Sequence, residues 1–207
     1  MQLFRIYSPT IRAALVIGAF SVMSYFNFTQ AQNASYPSQP IKIIVPFGPG
    51  GSADIMARNF GQYLEAKSKQ SVVIDNKPGA NGILGTEYVK NAPTDGYTLL
   101  LTTNTTIAAN LSLYKKVSYD PIKDFKNIGS FGTSASVILV NKDLKIENLR
   151  DFVRFAKSNP GQVFFAYYNS ASQVTAELFK LKTGAPLTGV PYKSISNAIQ
   201  DFYGNQI

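Results

Sequence analysis

The chain of 207 residues contains no histidine and no cysteine, which removes Ser-His-Asp and Cys-His nucleophiles, disulfides and the usual zinc ligand sets together. Its 20 basic and 12 acidic side chains give a net charge of +8. The lysines are scattered, with Lys115-Lys116 the longest basic run, so this charge describes a solvated surface with a mild preference for anions rather than a nucleic-acid footprint.

Residues 1–31 read as a secretory signal peptide. Arg5 and Arg12 precede the apolar run Ala13 to Met23, no acidic residue interrupts them, and Thr29-Gln30-Ala31 offers a small-residue cleavage site. Asn27, Thr29, Gln30 and Gln32 keep the apolar run short of the ~20 residues a membrane span needs. Cleavage after Ala31 leaves residues 32–207, and export without cysteine predicts a Gram-negative periplasm. A polar linker, Gln32 to Gln39, follows.

From Pro40 onward, short apolar runs alternate with helical patterns. The predicted strands are Ile41–Val45, Val72–Asp75, Tyr97–Leu101, Val137–Asn141, Val163–Tyr167 and Leu187–Val190. Helical stripes are marked first by Met56, Phe60 and Leu64, then by Leu149, Phe152, Val153 and Ala156. Val174, Leu178 and Leu181 mark the next, and Ile195, Ala198, Ile199 and Phe202 the last; all four stripes are expected to pack into the core. Asn148 is the predicted N-cap of the second of these helices, and Asn159-Pro160-Gly161 its stop. Strands alternating with helices require crossovers, so the class is α/β with mostly parallel sheets. Residues 104–126 lack periodicity and read as the passage between a first lobe (32–103) and a second (127–207).

The chemistry concentrates at strand ends. Pro46-Phe47-Gly48-Pro49-Gly50-Gly51-Ser52 follows the first strand and opens a helix. Such a turn aims unpaired backbone N–H groups at one spot, an anion cradle, and Gly50, Gly51 and Ser52 are its candidate residues. No Gly-Lys-Ser/Thr or G-x-G-x-x-G spacing is present, so it is neither a P-loop nor a dinucleotide turn. Ser52 lacks a nearby base and reads as a cap; Asp54 reads as fold support at the helix N-terminus. A second glycine-rich turn, Pro78 to Gly82, supplies Asn81 and Gly82, and a third polar stretch, Thr102-Thr103-Asn104, supplies Thr103 and Asn104. In an open parallel sheet these loops share the carboxyl edge, where ligands bind. Any one of them could equally be an ordinary turn. The carboxylates, including Asp75, Glu87, Asp120, Asp151, Glu177 and Asp201, show no paired spacing for a metal cage, so no catalytic residue, metal or cofactor is expected.

The ordered blocks Val45-Pro46-Phe47, Pro49-Gly50-Gly51-Ser52, Asn76-Lys77-Pro78-Gly79-Ala80-Asn81-Gly82 and Asp95-Gly96-Tyr97-Thr98-Leu99 resemble the Bug family of periplasmic solute-binding proteins, receptors of tripartite tricarboxylate transporters. Tyr119-Asp120-Pro121, Glu177-Leu178-Phe179-Lys180 and Val190-Pro191-Tyr192-Lys193 continue the series. The resemblance implies a two-lobed, periplasmic-binding-protein-like (type II) fold that closes on a small organic carboxylate and presents it to a membrane permease, with no nucleic acid involved. It implies a cleft lined by Phe47 and the glycine loops from the first lobe, and by Asn169, Ser170 and Tyr192 from the second. The chain departs from the family pattern at Tyr167, Tyr168 and Asn169, where glycines are usual, at Gln173, where a histidine is usual, and at Ser194, where a glycine is usual. Family chains also continue past Ile207, so the resemblance predicts a fold incomplete at the C-terminus. Two other functions stay open here: a truncated, non-functional product, and an enzyme acting on a phosphorylated small molecule.

Overall fold

The strand Ile41–Val45 (β1) is the most deeply buried element among the described residues; Ile41, Ile43, Ile44 and Val45 are all buried, and only Lys42 reaches outward. A near-continuous β-branched run is what a central parallel strand, covered on both faces, requires. In the computed structural model, which describes residues 35–133 and 135–207, β1 is flanked in parallel by β2 (Val72–Asn76) and β3 (Thr98–Leu100), in the order β2-β1-β3. Ile43 stands opposite Ile74 on one side and Leu99 on the other. The predicted signal peptide lies outside the described residues.

Helix α1 (Ser52–Ser68) returns from β1 and lays Ala53, Ala57 and Gly61 on the sheet. A Cβ at Gly61 would stand 3.1 Å from Ile74 Cδ1, so small side chains set how closely the helix approaches. Met56, expected in the core, is therefore exposed, while Phe60 and Leu64 are half-buried; the inner face is rotated from the large apolar residues to the small ones. Helix α2 (Ile83–Lys90) follows a 3₁₀ turn, Ala80–Gly82. At Gly85 a Cβ would meet the Lys77 carbonyl at 2.6 Å and Pro46 Cα at 2.8 Å, so this helix is seated directly on backbone.

The passage after β3 is more ordered than its sequence suggests. A widened, π-type turn, Thr105–Ala109, runs straight into α3 (Asn110–Leu113). Tyr119 is buried with its hydroxyl donating to the Thr106 carbonyl at 2.6 Å, and its ring meets Phe125 edge-on. By contrast, the predicted strand Val137–Asn141 does not form. Val137 is 78% exposed and the segment has no ladder partner among the described residues. An apolar run becomes a strand only where a neighbouring strand accepts its hydrogen bonds.

The second sheet is a parallel pair, β4 (Phe164–Tyr167) and β5 (Thr188–Pro191), with Phe164 opposite Thr188. Helix α4 (Leu149–Ser158) is capped by Asn148, whose Oδ1 accepts from the Asp151 N–H. Phe152 and Ala156 of α4 form the second core with Val163, Ala185 and Leu187, whereas Leu149 faces solvent. Helix α5 (Ser170–Thr183) turns Phe179 toward that core, and the predicted core stripe Val174, Leu178 and Leu181 faces outward instead, Leu181 at 81% exposure. The 3.6-residue period is real, but no element covers that face among the described residues. In α6 (Ile195–Tyr203) Ala198 is buried, Ile195 and Phe202 are half-buried and Ile199 is exposed. Residues Pro37–Ile207 form one compact unit.

Candidate functional site

The order β2-β1-β3 reverses direction at β1, so a crevice opens at the carboxyl ends of β1 and β3. Phe47, Gly51, Ser52 and Ala53 line it from the β1–α1 turn, Thr103 from the end of β3, and Tyr168 and Asn169 from the β4–α5 turn. It is a shallow crevice, partly open to solvent.

The β1–α1 turn is held by a buried carboxylate. Asp54, 3% exposed, accepts from the Gly50 N–H at 2.9 Å and from Arg58 Nε and Nη2 at 3.0 Å each. Arg58 also reaches Asn76 Oδ1, and Asn76 Nδ2 donates to the Phe47 carbonyl. Burial works against the charge of Asp54, but Arg58, the Gly50 N–H and Asn76 outweigh it and hold its carboxyl below the usual value. The Gly50 N–H is thus taken up within the turn. Gly50 has φ +84°, and a Cβ there would meet Ser196 Oγ at 2.8 Å. Gly51 is the N-cap of α1 and brings no side-chain cap, and with Ser52 and Ala53 it puts the start of α1 on the crevice wall.

Two further helices begin here. Asn169 is the N-cap of α5: its Oδ1 accepts from the Ser172 N–H and hydroxyl, and the Ser172 hydroxyl lies against the Asn169 N–H in return. Ser194 caps α6, and this end of α6 abuts the first turn. Ser196 Oγ donates to the Pro49 carbonyl, and a Cβ on Gly48 would lie 3.0 Å from that of Ser194. The N-termini of α1 and α5 therefore contribute to one crevice whose lining residues include no cationic side chain, and the N-terminus of α6 packs on the first turn beside it. Each carries a partial positive charge, worth ~0.3–1 kcal/mol toward an anion in exposed settings.

Of the eleven residues expected from sequence, Phe47, Gly51, Ser52, Thr103 and Asn169 come together on the crevice wall. Gly82 lies behind it, where a Cβ would meet Thr106 Cγ2 at 2.7 Å and the Phe47 ring at 3.1 Å. Asn81 donates to the Tyr114 hydroxyl, and its own carbonyl accepts from Asn110 Nδ2 at 2.9 Å. Ser170, fully buried, donates to Asn110 Oδ1 at 2.7 Å. Tyr192 donates to Asp201 at 2.8 Å, and partial burial followed by that carboxylate pushes its hydroxyl pKa up. Asn104 is exposed at the head of the π-type turn. The sequence reading missed Asn110, whose buried amide ties the second glycine turn to the start of α5; no local pattern marks it. It also missed Thr105, whose buried hydroxyl has no partner among the described residues.

An α/β chain with parallel sheets and ligand loops gathered between them is the frame of a periplasmic-type binding protein. The solved structure of a periplasmic transporter superposes on this chain with a TM-score of 0.81 and 38% identity, covering 84% of this chain and 59% of that one. A Rhodopseudomonas palustris protein solved with adipate gives 0.75 and 30%, covering 83% and 58%. Among curated relatives, BugT of Bordetella pertussis is 38% identical over 176 residues, 84% of this chain and 54% of that protein. The model of the tripartite tricarboxylate transporter family receptor matches residues 56–207. The chain belongs to that receptor family. It spans little more than half the length of the relatives it matches.

Proposed function

We propose that this protein works as a solute-binding receptor in the periplasm, exported by residues 1–31. It captures a small organic carboxylate in the crevice and delivers it to the membrane permease of a tripartite tricarboxylate transporter. The carrying observation is a crevice walled by uncharged residues at the carboxyl ends of β1 and β3, with the starts of α1 and α5 on its wall. Backbone N–H groups and dipoles fixed by the fold attract an anion without the reorganisation a flexible lysine would need. The adipate held by the Rhodopseudomonas relative supports the ligand class. Nothing on the wall supplies both a nucleophile and a base, so the reading is capture and release without catalysis.

In this reading residues 32–103 belong to the first lobe and 127–207 to the second, with 104–126 between them. Gly51, Ser52, Thr103 and Asn169 touch the ligand. Phe47 forms the floor, Gly50 and Gly82 shape the turns, and Asn81, Asn104, Ser170 and Tyr192 hold the surrounding loops in place. The test is thermal denaturation with a panel of carboxylates, since a ligand that binds only the folded state raises the melting temperature. Gly51→Val is the matched control. A Cβ at Gly51 meets nothing nearer than 3.9 Å and its φ is −80°, so the backbone tolerates a side chain on this wall, and circular dichroism of the variant checks that it folds. A carboxylate that stabilises the parent and not Gly51→Val supports the reading; equal shifts in both would place the ligand elsewhere.

A further inference from the structure

We propose that Asn81 is a latent deamidation site, held unreactive by the bonds of the second glycine turn and guarded by Tyr114. This chemistry does not depend on the receptor reading. The pair Asn-Gly occurs once in the chain, at Asn81-Gly82. In such a pair the following backbone nitrogen reaches the asparagine side chain most easily, because glycine has no Cβ and turns freely. In water the Gly82 nitrogen gives its proton to hydroxide and attacks Asn81 Cγ. The new C–N bond closes a cyclic imide, the Cγ–Nδ2 bond breaks, and Nδ2 leaves as ammonia with a proton from water. A second water opens the imide at either carbonyl, giving aspartate or isoaspartate. The net change is amide plus water to carboxylate plus ammonium, with no other reactant.

The turn calls for this labile pair and also restrains it. Asn81 sits in the left-handed region, φ +53° and ψ +40°, which asparagine adopts more readily than most residues. Gly82 has φ +84° and no room for a Cβ against Thr106 and the Phe47 ring, so a bulkier, slower neighbour does not fit. Every group the reaction needs is engaged. The Gly82 N–H donates to the Gly79 carbonyl at 2.9 Å. The Asn81 carbonyl, the other end of the same peptide, accepts from Asn110 Nδ2 at 2.9 Å. Held at both ends, that peptide cannot swing its nitrogen onto Cγ. The leaving amide is tied as well, Nδ2 donating to the Tyr114 hydroxyl at 2.6 Å. Reaction therefore waits for the turn to open, and its rate follows the fraction of time that the turn is open. Isoaspartate would add a methylene to the main chain and carry the carbonyl of residue 81 away from Asn110, undoing the tie to Ser170 at the start of α5.

Ageing the full chain in mildly alkaline buffer, with and without guanidinium chloride, reads the restraint directly. Mass spectrometry of digested samples locates each lost amide and gives its rate. In denaturant Asn81 is expected to be the fastest asparagine of the chain, and in the folded protein it should react at least about tenfold more slowly. Tyr114→Phe removes only the hydroxyl. It should speed the loss severalfold in the folded protein and leave the rate in denaturant unchanged, with the melting temperature of the variant measured alongside. Equal rates for the parent with and without denaturant would overturn the inference, as would another asparagine outrunning Asn81 in denaturant. An unchanged folded-state rate in Tyr114→Phe, or a rise no larger than its lowered melting temperature accounts for, would overturn the part given to Tyr114. The parent comparison uses no variant, so a misfolded Tyr114→Phe does not shelter the proposal.

Discussion

The two sheets are built from the same kind of unit, yet they hold their residues very differently. In the first, β1 has a strand on each side and helices on its faces, and four of its five side chains are buried. In the second, β4 and β5 pair with each other alone among the described residues, and Phe164 at the head of β4 is exposed. The crevice takes one wall from each. Its first wall is rigid, tied by Asp54, Arg58 and Asn76, while its second is held by helix caps and one buried amide. The lesson is that burial tracks the number of neighbouring elements more closely than the hydrophobicity of the run.

Mutations at matched positions sharpen this contrast. Ile43→Ala, at a site 1% exposed, should cost about 2–5 kcal/mol in urea denaturation because the packed centre cannot collapse into the cavity. A cost well below that range would mean that the centre of the first sheet is not close-packed. Next comes a matched pair of glycines. Gly85→Ala presses a methyl on the Lys77 carbonyl and the Pro46 backbone, which cannot move aside, and should cost about 1–3 kcal/mol. Gly189→Ala meets the Phe165 ring at 2.8 Å, a half-buried side chain that can rotate away. Its cost should be the lower of the two, and equal losses would break the comparison.

A smaller effect is expected from acid. Asp54 titrates below its ordinary 3.8 when folded, so its contribution is present above that pH. It is lost as pH falls through the depressed folded value. Urea midpoints followed downward from pH 5 should therefore fall more steeply below 3.8 in the parent than in Asp54→Asn. Parallel curves would show that Asp54 does not tie the first wall through its charge. Least of all, Leu181→Ala on the uncovered face of α5 should change stability by no more than about 0.5 kcal/mol. A larger loss would reveal a packing partner for that face.

The same contrast explains what the sequence could say. Five of six strands fall within a residue or so of their expected places, because β-branched runs between glycine and proline punctuation are local signals. The sixth, Val137–Asn141, carries the same signal and stays unpaired, since a ladder needs a partner that no local pattern records. The stripe at Val174, Leu178 and Leu181 fails likewise: periodicity gives a helix and a face, not what covers it. At the site, the first glycine turn was legible because its function is written in backbone conformation. Asn110 was not, because its role depends on a residue 29 positions away making a particular bond.

The buried amide of Asn110 has a consequence for how this sequence can drift. It donates to the backbone carbonyl of Asn81 and accepts from the Ser170 hydroxyl. On the first side the partner is main chain, so position 81 answers to the amide only through its conformation, φ +53°, and not through its side chain. On the second side the partner is a hydroxyl, so only serine or threonine answers. An aspartate at 110 would set a lone pair against the carbonyl of residue 81, and a leucine would strand both neighbours. Among descendants of this chain, positions 110 and 170 should change together or not at all, while position 81 is held by its left-handed backbone and by Tyr114 rather than by the amide at 110.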